Sequence, residues 1–488
     1  MTATHAFEAP AATAGPTPEP GARVARRTKI VATLGPATDA PGVLDALVAA
    51  GLDCARLNCS HGTPDELRRR AREVRAAARR AGRPVGLLYD LQGPKLRLAA
   101  DTVERKLHRG DVVVLTGEHP GGPGRAVVEF SGFARLVTER SEIIVGDGVP
   151  RLAVESTGAA EVVARALSAG RLAPSKGINV THSRPELPAI TEKDVADLDV
   201  AVQESADFVA LSFVRSGADI DELRARLLAL GSRARVIAKI ETLEAYENLD
   251  EILVAADGVM IARGDYGVTA GLARVPLMQK DVIRRATRAG KVTITATQML
   301  ESMIHASEPT RAEVADVANA VIDGTSAVML SAETSVGQFP VEAVQAMSLV
   351  AESAEEWPEL RRRDVRAGTA AAAVLHAAVE LADELEARAI VVPTATGGSA
   401  RACSKYRPRQ PVIAIVHDTQ VAEQLSIEWG VFPVMAEAAP TFEDLLDGAL
   451  QAARDYGGWP SGARVIVTTG RQPGISGATN VIVKRELP

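Results

Sequence analysis

Two short apolar runs flank a segment of helical pattern between Ala234 and Val268. The runs extend from Val236 to Ile240 and from Gly258 to Ala262, and both are rich in Val, Ile or Met. Apolar runs of this length on either side of a helix are typical of a βαβ unit. Each run ends in charge, the first in KIE and the second in ARGD. Since parallel strands of one sheet end at the same edge, the pattern gathers a cation and two carboxylates there.

The same alternation begins at Thr28 and recurs along the chain. Helical patterns cover 38–50, 64–81 and the segment EKDVADLDVAVQ that follows Thr191. The predicted strands, in chain order, are TKIVATLG, CARLNCS, VGLLYDLQG, FVALSFV, RVIAKIE, GVMIAR, VTITATQ and AVMLSAET. Eight strand and helix pairs in roughly 250 residues predict a closed (β/α)8 barrel of the TIM type.

The rhythm breaks between Leu98 and Ser175. This region is rich in Val and Gly and alternates between apolar and polar residues, and GDVVVL, RAVVEF, SEIIVGDGV and RLAVES have the pattern of antiparallel strands. The region follows the third barrel strand at its carboxyl end. We therefore predict a small all-β domain that lies over the mouth of the barrel as a lid.

A second α/β unit follows the barrel. The stretch EEWPELRRRDVRAG after Ala354 is expected to be a linker or a long solvated helix. Strands and helices alternate from Ala370 to the end of the chain, in the pattern of an open sheet. The predicted domains are a disordered lead-in over 1–27, the barrel over 28–98 and 178–355, the β-barrel-like lid over 99–177 and a C-terminal α/β domain of regulatory type over 366–488.

Composition and charge exclude several classes of function. Only 3% of the 488 residues are aromatic, so the cores must be built from Ala, Val, Leu and Ile. The 55 basic and 62 acidic residues give a net charge of -7 without a long basic block, which argues against nucleic acid and acidic membrane surfaces as partners. No apolar run approaches the roughly 20 residues needed to cross a bilayer. Three cysteines without CxxC spacing favour a cytoplasmic protein.

Polar residues gather where the predicted barrel strands end, which is where such barrels carry their functional groups. Several of these residues are cationic and few are apolar, as expected for an anionic, phosphorylated ligand. The candidates are Arg56, Asn58, Ser60 and His61 after the second strand, Asp90, Lys95 and Arg97 after the third, Lys239 and Glu241 after the fifth, Gly264 and Asp265 after the sixth, Thr297 and Gln298 after the seventh, and Ser331 and Glu333 after the eighth.

Glu241 and Asp265 come from adjacent strand ends and suit a hard divalent cation, which takes one or two carboxylates together with phosphate oxygens and water. Lys239 faces the same side of its strand as Glu241, because side chains alternate along a strand. A fixed ammonium there would stabilise a transferring phosphoryl group or an enolate oxygen. The simpler alternative is an ordinary ion pair between the two. A catalytic dyad of Ser60 and His61 is disfavoured, since adjacent strand residues face opposite sides.

From Thr28 to Leu487 the sequence resembles the pyruvate kinase family. The resemblance is carried by TKIVATLGPATD, ARLNCSHG, DLQGPKLR, SKGIN, AKIE, ARGDYGV, ATQMLESM, PTRAEVADVANAVIDG and MLSAET, which stand in the family's order. It implies the same three-part fold and a glycolytic enzyme that transfers phosphate reversibly from phosphoenolpyruvate to ADP, giving pyruvate and ATP. It also implies a divalent metal, Mg²⁺ or Mn²⁺, and a cytoplasmic homotetramer without nucleic acid or membrane partners.

The resemblance also implies a role for each matching residue. Arg56 would grip the transferring phosphate, and Lys239 would stabilise the transition state. Glu241 and Asp265 would hold the metal. The backbone at Gly264, next to Asp265, and the hydroxyl of Thr297 would hold the substrate carboxylate. Protonation of the enolpyruvate carbon would be relayed through Thr297, Ser331 and Glu333, while His61, Arg97 and the lid residue Lys176 would face the nucleotide phosphates.

One departure from the family concerns potassium. Many members bind K⁺ through side chains matching Asn58, Ser60 and Asp90 and a carbonyl matching Leu91. Those members usually have DTKGPE where this chain has DLQGPK, ending at Lys95. The hypothesis is that the Lys95 ammonium replaces the ion, with Asp90 as a possible partner, so that activity does not require K⁺. A second departure, Thr269 in place of a common Glu, has no evident consequence.

The C-terminal domain resembles the family's regulatory domain and predicts an allosteric enzyme. Its TATGGSAR loop, from Thr394 to Arg401, opens a helix with small residues and hydroxyls that could cradle a phosphate. Many members have Arg where Gly398 stands, so a purely structural turn remains an equal alternative.

Two rival functions remain open at this point. The first is a Schiff-base aldolase of the same barrel type, with Lys239 as the nucleophile. The second is a catalytically silent paralogue that binds a metabolite. The intact set of Lys239, Glu241, Asp265 and Thr297 argues against the silent paralogue, because clustered buried charge is costly to keep.

Overall fold

A computed structural model describes residues 26–118, 125–146, 148–181, 187–357, 365, 368–471 and 479–488. Most of the predicted lead-in over 1–27 lies outside these residues. Arg26 and Arg27, however, already bind the folded body. The guanidinium of Arg26 pairs with Asp53 at 2.9 Å, and the backbone N–H of Arg27 donates to the Glu355 carboxylate at 2.9 Å. Two residues that the prediction assigned to the lead-in therefore bind the folded domains.

The strands and helices alternate at both ends of the chain, and strands dominate the middle. The strands are β1 Lys29–Thr33, β2 Cys54–Asn58, β3 Gly86–Asp90, β4 Leu96–Arg97, β5 Arg105–Leu107, β6 Val112–Thr116, β7 Arg125–Val127, β8 Glu142–Val145, β9 Arg151–Thr157, β10 Glu161–Ala166, β11 Gly170–Leu172, β12 Gly177–Val180, β13 Phe208–Leu211, β14 Arg235–Ile240, β15 Gly258–Ala262, β16 Val292–Ala296, β17 Ala327–Leu330, β18 Ala389–Pro393, β19 Val412–Val416, β20 Val431–Met435, β21 Arg464–Thr469 and β22 Val481–Glu486. The helices are α1 Val43–Ala50, α2 Pro64–Ala81, α3 Phe133–Leu136, α4 Glu192–Gln203, α5 Gly217–Ala229, α6 Leu243–Glu247, α7 Leu249–Ala255, α8 Arg263–Ala270, α9 Val275–Arg288, α10 Arg311–Ile322, α11 Ala332–Ser335, α12 Pro340–Ala354, α13 Ala370–Glu384, α14 Gly398–Ser404, α15 Thr419–Gln424 and α16 Phe442–Gly457.

Eight parallel strands close into a barrel in the order β1-β17-β16-β15-β14-β13-β3-β2, which confirms the predicted fold. Because side chains alternate along a strand, β14 presents Ile237, Lys239 and Glu241 to the same side. Ile237 belongs to the apolar cluster that fills the barrel. Lys239 lies one layer above it and Glu241 at the rim. The packing of Ile237 in the apolar cluster thus sets how far along the barrel axis Lys239 and Glu241 lie.

Residues from outside the barrel complete the bottom of this interior. Ile427, from the C-terminal domain, is fully buried in the same apolar cluster as Val31 and Leu88 of the barrel strands. Nearby, the Lys29 ammonium donates to the Val431 carbonyl at 2.7 Å, and Arg407 donates to the Gly324 carbonyl at 2.6 Å. The C-terminal domain is therefore docked on the amino-terminal end of the barrel, opposite the mouth.

Helix α2 follows the sequence prediction from its first residue to its last. The Thr63 side chain accepts a hydrogen bond from the backbone N–H of Glu66, and Gly82 ends the helix in the left-handed conformation, with φ 62°. Both residues are standard helix-capping choices. Sequence patterns that include caps therefore fixed the boundaries of this helix.

The predicted helix over 38–50 is wrong in its first half. A short 3₁₀ turn covers Pro36–Thr38, and α1 begins only at Val43. Pro41 explains the difference, because a proline disfavours the helical conformation of the residue before it. Only the second half of the predicted segment is therefore α-helical.

The inserted domain is a seven-stranded sheet, in the order β4-β12-β8-β9-β10-β6-β7, with a separate β5-β11 pair. Two expectations need correction. Strands β6 and β7 pair in parallel rather than antiparallel, since apolar alternation reports which face is buried but not the direction of pairing. The sheet also reaches beyond 99–177 at both ends, because Leu96 and Arg97 pair with Gly177 and Ile178. A short helix, α3, interrupts the strands.

The C-terminal domain is the predicted open sheet, in the order β20-β19-β18-β21-β22. All its pairs are parallel except β21 with β22. The stretch predicted as a linker or helix falls largely on residues outside the described ranges. Within the described part of the chain, no helix combines the length and hydropathy that a membrane span requires.

Candidate active site

Lys239 lies at the centre of the polar cluster in the barrel mouth. Its ammonium contacts Glu241 Oε1 at 2.9 Å, Asp90 Oδ1 at 3.2 Å and Ser212 Oγ at 2.7 Å. Burial lowers the pKa of Lys239, but the Asp90 and Glu241 carboxylates more than offset this and hold it above the ordinary value. Lys239 is therefore a fixed cation, paired with two carboxylates rather than one. A Schiff-base nucleophile would instead need a lowered pKa.

A second cation, Arg56 of β2, is held beside Lys239 by a shared partner. Its Nε donates to Asp90 Oδ2 at 2.7 Å, and its Nη1 donates to Thr33 Oγ1 at 2.9 Å. Asp90 is 1% exposed. Its burial raises the pKa of the carboxyl, but Lys239 and Arg56 together bring it below the ordinary value. One buried carboxylate thus orients both cations toward the mouth.

Glu241 and Asp265 are neighbours, as predicted from the adjacent strands β14 and β15. Glu241 is buried, and its Oε2 accepts the backbone N–H of Phe213 at 2.8 Å. Asp265, in the first turn of α8, keeps a third of its side chain exposed. Burial raises the pKa of Glu241, and the nearby Asp265 carboxylate raises it further against the effect of Lys239. Two carboxylates that repel each other at the edge of a cavity fit a divalent cation.

Among the described residues there is no cluster of three or more His, Cys, Asp or Glu side chains able to hold a metal. A metal at Glu241 and Asp265 would therefore complete its coordination with water and substrate oxygens. This is the usual situation for Mg²⁺, which keeps several waters and binds through one or two carboxylates. The donor set of this site fits that ion.

Gly264 and Thr297 join the ends of β15 and β16. The backbone N–H of Gly264 donates to Thr297 Oγ1 at 2.9 Å. Thr297 has a φ of 69° and the adjacent Gln298 a φ of 53°, which is the left-handed region that residues other than glycine rarely occupy. The amino-terminal end of a helix carries a partial positive charge, so the start of α8 beside Thr297 suits a carboxylate ligand.

Glu333 lies behind the loops that follow β16 and β17. It is 1% exposed, and its two oxygens accept the backbone N–H groups of Leu300 at 3.1 Å and Ser331 at 2.6 Å. Within the described part of the chain, no hydrogen bond joins Thr297 directly to Ser331 or Glu333. The carboxylate therefore holds both loops in place, and a proton moving between Thr297 and Glu333 would need a bridging molecule.

Three predicted phosphate-binding residues lie where the barrel meets the lid. His61 and Lys176 are exposed, and the Arg97 guanidinium donates to the Ser175 carbonyl at 3.3 Å. Partial burial lowers the pKa of His61, and the positive charges of Arg97, Arg56 and other cations lower it further. The cations that contribute to this shift create a positive potential at the junction, which attracts anions.

The residues predicted for a monovalent cation already have hydrogen-bond or ion-pair partners within the protein. Asn58 Oδ1 accepts the Ser60 backbone N–H at 3.1 Å, and the Leu91 carbonyl accepts the Ser212 hydroxyl at 2.7 Å. The carboxylate within 4 Å of the Lys95 ammonium is Asp265, at 3.9 Å, rather than the expected Asp90. The reason is that Arg56 and Lys239 occupy the Asp90 oxygens.

Sequence analysis missed Ser212 and Thr33. Both hydroxyls contact the buried cations of the mouth, Ser212 at Lys239 and Thr33 at Arg56. Strand alternation could have identified both, because Phe208, Ala210 and Ser212 share the inner side of their strand. Neither residue carries a charge or belongs to a motif that marks it as functional.

Thr269, the second departure from the family, lies inside this region without entering the mouth. Its hydroxyl donates to the Tyr266 carbonyl at 3.1 Å, a contact within α8, and lies 3.4 Å from the Glu241 carbonyl oxygen. It therefore stabilises the end of α8 against the strand that carries Glu241.

The Thr394 to Arg401 loop borders a cavity of about 470 Å³ in the C-terminal domain. The hydroxyls of Thr394, Thr396 and Ser399 line it, but its described lining includes no lysine or arginine. The side chain of Arg401 turns back instead, and donates to the Thr396 carbonyl. The cavity thus offers hydroxyls without a fixed positive charge.

The chain matches two family models, "Pyruvate kinase, barrel domain" over residues 25–344 and "Pyruvate kinase, alpha/beta domain" over residues 372–483. It is 40% identical over 470 residues to a pyruvate kinase of Geobacillus stearothermophilus, covering 94% of this chain and 80% of that protein. It is also 40% identical over 471 residues to pyruvate kinase 2 of a Synechocystis species, covering 94% and 78%. A pyruvate kinase of Methylorubrum extorquens is 40% identical over 464 residues, covering 94% and 96%. The matched segments span both the barrel with its mouth and the C-terminal sheet. The chain therefore belongs to the pyruvate kinase family and is an enzyme, a phosphotransferase.

Proposed function

We propose that the barrel mouth transfers the phosphoryl group of phosphoenolpyruvate to ADP and gives pyruvate and ATP in glycolysis. One observation carries the proposal: the Lys239 ammonium is buried between Asp90 and Glu241, and Asp90 also pairs with Arg56, at the carboxyl ends of the strands. This arrangement places two fixed cations beside the carboxylates proposed to hold a divalent metal, where a phosphate would enter. The similarity to pyruvate kinases of three bacteria supports the same reaction.

The substrate would bind through its two anionic ends. Arg56 and Lys239 would hold the phosphate, since both cations are fixed by Asp90 and cannot swing away. The backbone of Gly264 and Asp265 at the start of α8, together with the Thr297 hydroxyl, would hold the carboxylate. The bound substrate would then have its phosphate aimed at the junction of barrel and lid.

The metal would be held by Glu241 and Asp265, with Mg²⁺ or Mn²⁺ as the fitting ions. When bound, it neutralises charge on phosphoryl and enolate oxygens. Lys239 is the protein's own contribution to the same task. An ammonium held at 2.9 Å from Glu241 needs little rearrangement as charge develops on the phosphoryl group.

The nucleotide phosphates would lie between His61, Arg97 and Lys176. His61 and Arg97 belong to the barrel rim and the first lid strand, and Lys176 belongs to the last lid loop. Binding there would draw the lid toward the mouth. A closed lid excludes water, which protects the transferring phosphoryl group from hydrolysis.

The proton that reaches the methylene carbon of enolpyruvate would come by way of the Thr297 hydroxyl. This hydroxyl accepts the Gly264 N–H, so its hydrogen can be donated elsewhere. Ser331 and Glu333 would complete the relay through water, since their groups do not contact Thr297 directly. Proton transfer forms the C–H bond, and the electrons of the enolate C=C bond are used to make it.

Activity is proposed not to require K⁺, because the Lys95 ammonium, 3.9 Å from Asp265, supplies a tethered positive charge at the mouth. The chain is assayed in buffer free of Na⁺ and K⁺, with and without added K⁺. We expect less than a roughly threefold increase with K⁺, and a strong K⁺ requirement in Lys95→Glu, which creates a cation-attracting site. A large stimulation of the unaltered enzyme by K⁺ contradicts the proposal.

The remaining proposals concern assembly and regulation. A cytoplasmic homotetramer is supported by the family and by the exposed apolar side chains Leu272 and Leu277 at the barrel surface. An effector at the cavity beside Thr394 to Arg401 is supported by its size and its hydroxyls. The proposed partners are the substrates and further copies of the chain, and do not include nucleic acid or membranes.

The decisive test is a lactate-dehydrogenase-coupled assay with phosphoenolpyruvate, ADP and Mg²⁺. We expect Lys239→Met to lose at least about 10³-fold in turnover, since it removes the fixed charge. Lys291→Met is the control for the loss of a hydrogen-bonded lysine, because the Lys291 ammonium donates to Ala256 O at 2.6 Å but lies at the amino-terminal end of the barrel. Borohydride trapping of pyruvate on Lys239, together with activity that does not depend on ADP, would favour the aldolase instead.

A further inference from the structure

The turn that carries Thr297 has an unusual backbone. Both Thr297, with φ 69°, and Gln298, with φ 53°, occupy the left-handed region, although neither is glycine. Such conformations cost free energy and persist only where their surroundings hold them in place. Some other group must therefore keep this turn in shape.

The guanidinium of Arg263 binds this turn from behind. Its Nη2 donates to the Thr297 carbonyl at 2.7 Å and to the Gln298 carbonyl at 3.1 Å. Its Nε lies 3.3 Å from the carbonyl oxygens of Ala296 and Thr297. One rigid, planar guanidinium thus binds three consecutive carbonyl oxygens. Among the side chains, only arginine carries enough N–H donors in a fixed plane to do this.

Arg263 is itself held in place. Its Nη1 pairs with Asp316 of α10 at 2.7 Å and lies 3.4 Å from Gln279 Oε1 of α9. Arg263 is 8% exposed, whereas 40% of the Asp316 side chain is exposed. The pair therefore runs from the outer helices, through the barrel wall, to the back of the Thr297 turn.

We infer that Arg263 is a positioning residue that acts on catalysis through Thr297. Arg263 starts α8, so the same residue fixes the helix that presents Gly264 and Asp265 and the turn that presents Thr297. The 2.9 Å contact between Gly264 N and Thr297 Oγ1 depends on both. This inference rests on the role proposed above for Thr297, and it assigns a function to an arginine that touches neither substrate nor metal.

The test compares Arg263→Met, Asp316→Asn, Thr297→Ala and the Arg263→Met/Thr297→Ala double variant as full-length enzymes. Three quantities are measured: turnover with phosphoenolpyruvate and ADP, exchange of pyruvate methyl hydrogens in D₂O followed by NMR, and the thermal unfolding midpoint. We expect Arg263→Met to lower turnover and exchange together by about 10²-fold, as expected for loss of orientation at a reacting group. Asp316→Asn, which keeps Arg263 but weakens its support, should lose about 3–10-fold.

The double variant distinguishes positioning from a separate structural role. If Arg263 acts through Thr297, the double variant is no more than a few-fold slower than the slower single variant. Independent contributions instead multiply. The KM for ADP should stay unchanged in all variants, because the proposed nucleotide site at His61, Arg97 and Lys176 lies away from the turn.

Arg224→Met is the matched control. Arg224 also bridges a carbonyl and an aspartate, with Ala255 O at 2.7 Å and Asp257 Oδ2 at 3.0 Å, but at the amino-terminal end of the barrel. It should lower the unfolding midpoint without changing methyl exchange. If Arg263→Met does not fold, Arg263→Lys and Asp316→Asn decide the question by the same measurements.

Three outcomes would overturn the inference. One is a folded Arg263→Met enzyme with unchanged turnover and exchange and only a lower unfolding midpoint. Another is a fully multiplicative loss in the double variant. If Thr297→Ala is impaired while Arg263→Met is not, the inference alone fails; if Thr297→Ala keeps normal turnover and exchange, the proposed role of Thr297 fails as well.

Discussion

At the scale of single residues, the site depends on buried charges that compensate one another. Asp90 contacts both Arg56 and Lys239, and Glu241 contacts Lys239 as well. Removing one member of a buried set leaves the others uncompensated, which is more harmful than removing the whole set. Neutral neighbours also matter here, because they fix the geometry of the charges without changing their number.

Ser212 is such a neighbour, and it offers a test at this scale. Ser212→Ala removes the hydroxyl that accepts from Lys239 and donates to the Leu91 carbonyl. We expect turnover to fall about 10-fold, with stability reduced by about 1 kcal/mol, since one buried hydrogen-bonded hydroxyl is lost while all charges remain. Steady-state assays and urea unfolding measure the two effects.

The control for this change is Ser348→Ala. The Ser348 hydroxyl also bonds to charged groups, Arg26 and Glu352, but on the outer helix α12. Its turnover should equal that of the unaltered enzyme. Equal turnover in Ser212→Ala would show that two carboxylates suffice to position Lys239.

The residue scale also shows what charge alone can predict. Lys239, Glu241, Asp90 and Arg56 were found from the sequence because strand ends of a barrel converge. The pairing of Lys95 with Asp265 was not foreseen, since it depends on the path of two loops rather than on strand alternation. Hydroxyls such as Ser212 escaped notice because nothing in their chemistry separates them from other small core residues.

At the scale of elements, the loop after β3 connects the lid to the catalytic network. Gly93 has a φ of 67°, and its backbone N–H donates to Asp194 Oδ1 at 3.0 Å. A Cβ at this position would lie 2.9 Å from the Ser212 carbonyl oxygen and 3.0 Å from its Cβ. The start of the lid is thus packed directly against a residue that holds Lys239.

Gly93→Ala should therefore impair both folding and catalysis. The strained backbone and the close contact should cost about 1–3 kcal/mol of stability, and the displaced Ser212 should lower turnover further than that loss explains. Gly110→Ala in the lid is the matched control, since Gly110 has a φ of 96° but no atoms within 4 Å of the added Cβ. The control should lose stability without losing turnover in the folded state. Equal turnover in the two variants would show that the loop after β3 does not influence catalysis.

Element boundaries could be predicted where local chemistry fixes them. Helix α2 was correct at both ends because Thr63, Pro64 and Gly82 encode them. The direction of β7 could not be predicted, because its three residues carry the same alternation in either orientation. Closure of the barrel, by contrast, could be predicted from the number of strand and helix pairs, because eight such pairs have few other stable arrangements.

At the scale of the whole molecule, two domains share a buried cluster of charge. Arg75 of α2 pairs with Asp207 at 3.0 Å and with Glu423 of α15 at 2.8 Å. Burial and the nearby Asp207 carboxylate together raise the pKa of Glu423 to about 8, against the effect of Arg75. Two buried carboxylates with one arginine therefore retain a proton near neutral pH.

This retained proton makes stability depend on pH. A carboxyl whose pKa is higher in the folded protein than in the unfolded chain binds more protons when folded. Its contribution is therefore present below the unfolded pKa near 4.5 and is lost as the pH rises through about 8. We expect the protein to lose about 2 kcal/mol of stability between pH 6 and pH 9 through this group.

Thermal unfolding across this pH range checks the prediction in two variants. Glu423→Gln is neutral at every pH and should flatten the dependence. Asp418→Asn, which alters an exposed pair with Arg233 at the same domain junction, should leave it intact. If stability falls equally steeply with pH in Glu423→Gln, other groups cause the pH dependence and the prediction is wrong.

Ile427, which completes the apolar filling of the barrel from the C-terminal side, has a consequence for how such chains can diverge. A catalytic unit whose floor is supplied by a neighbouring unit cannot be excised or recombined alone without exposing its interior. The two parts must therefore be inherited together, and changes in one packing surface select for matching changes in the other. The residues of the mouth, at the opposite end of the strands, take no part in this packing surface and can change without affecting it.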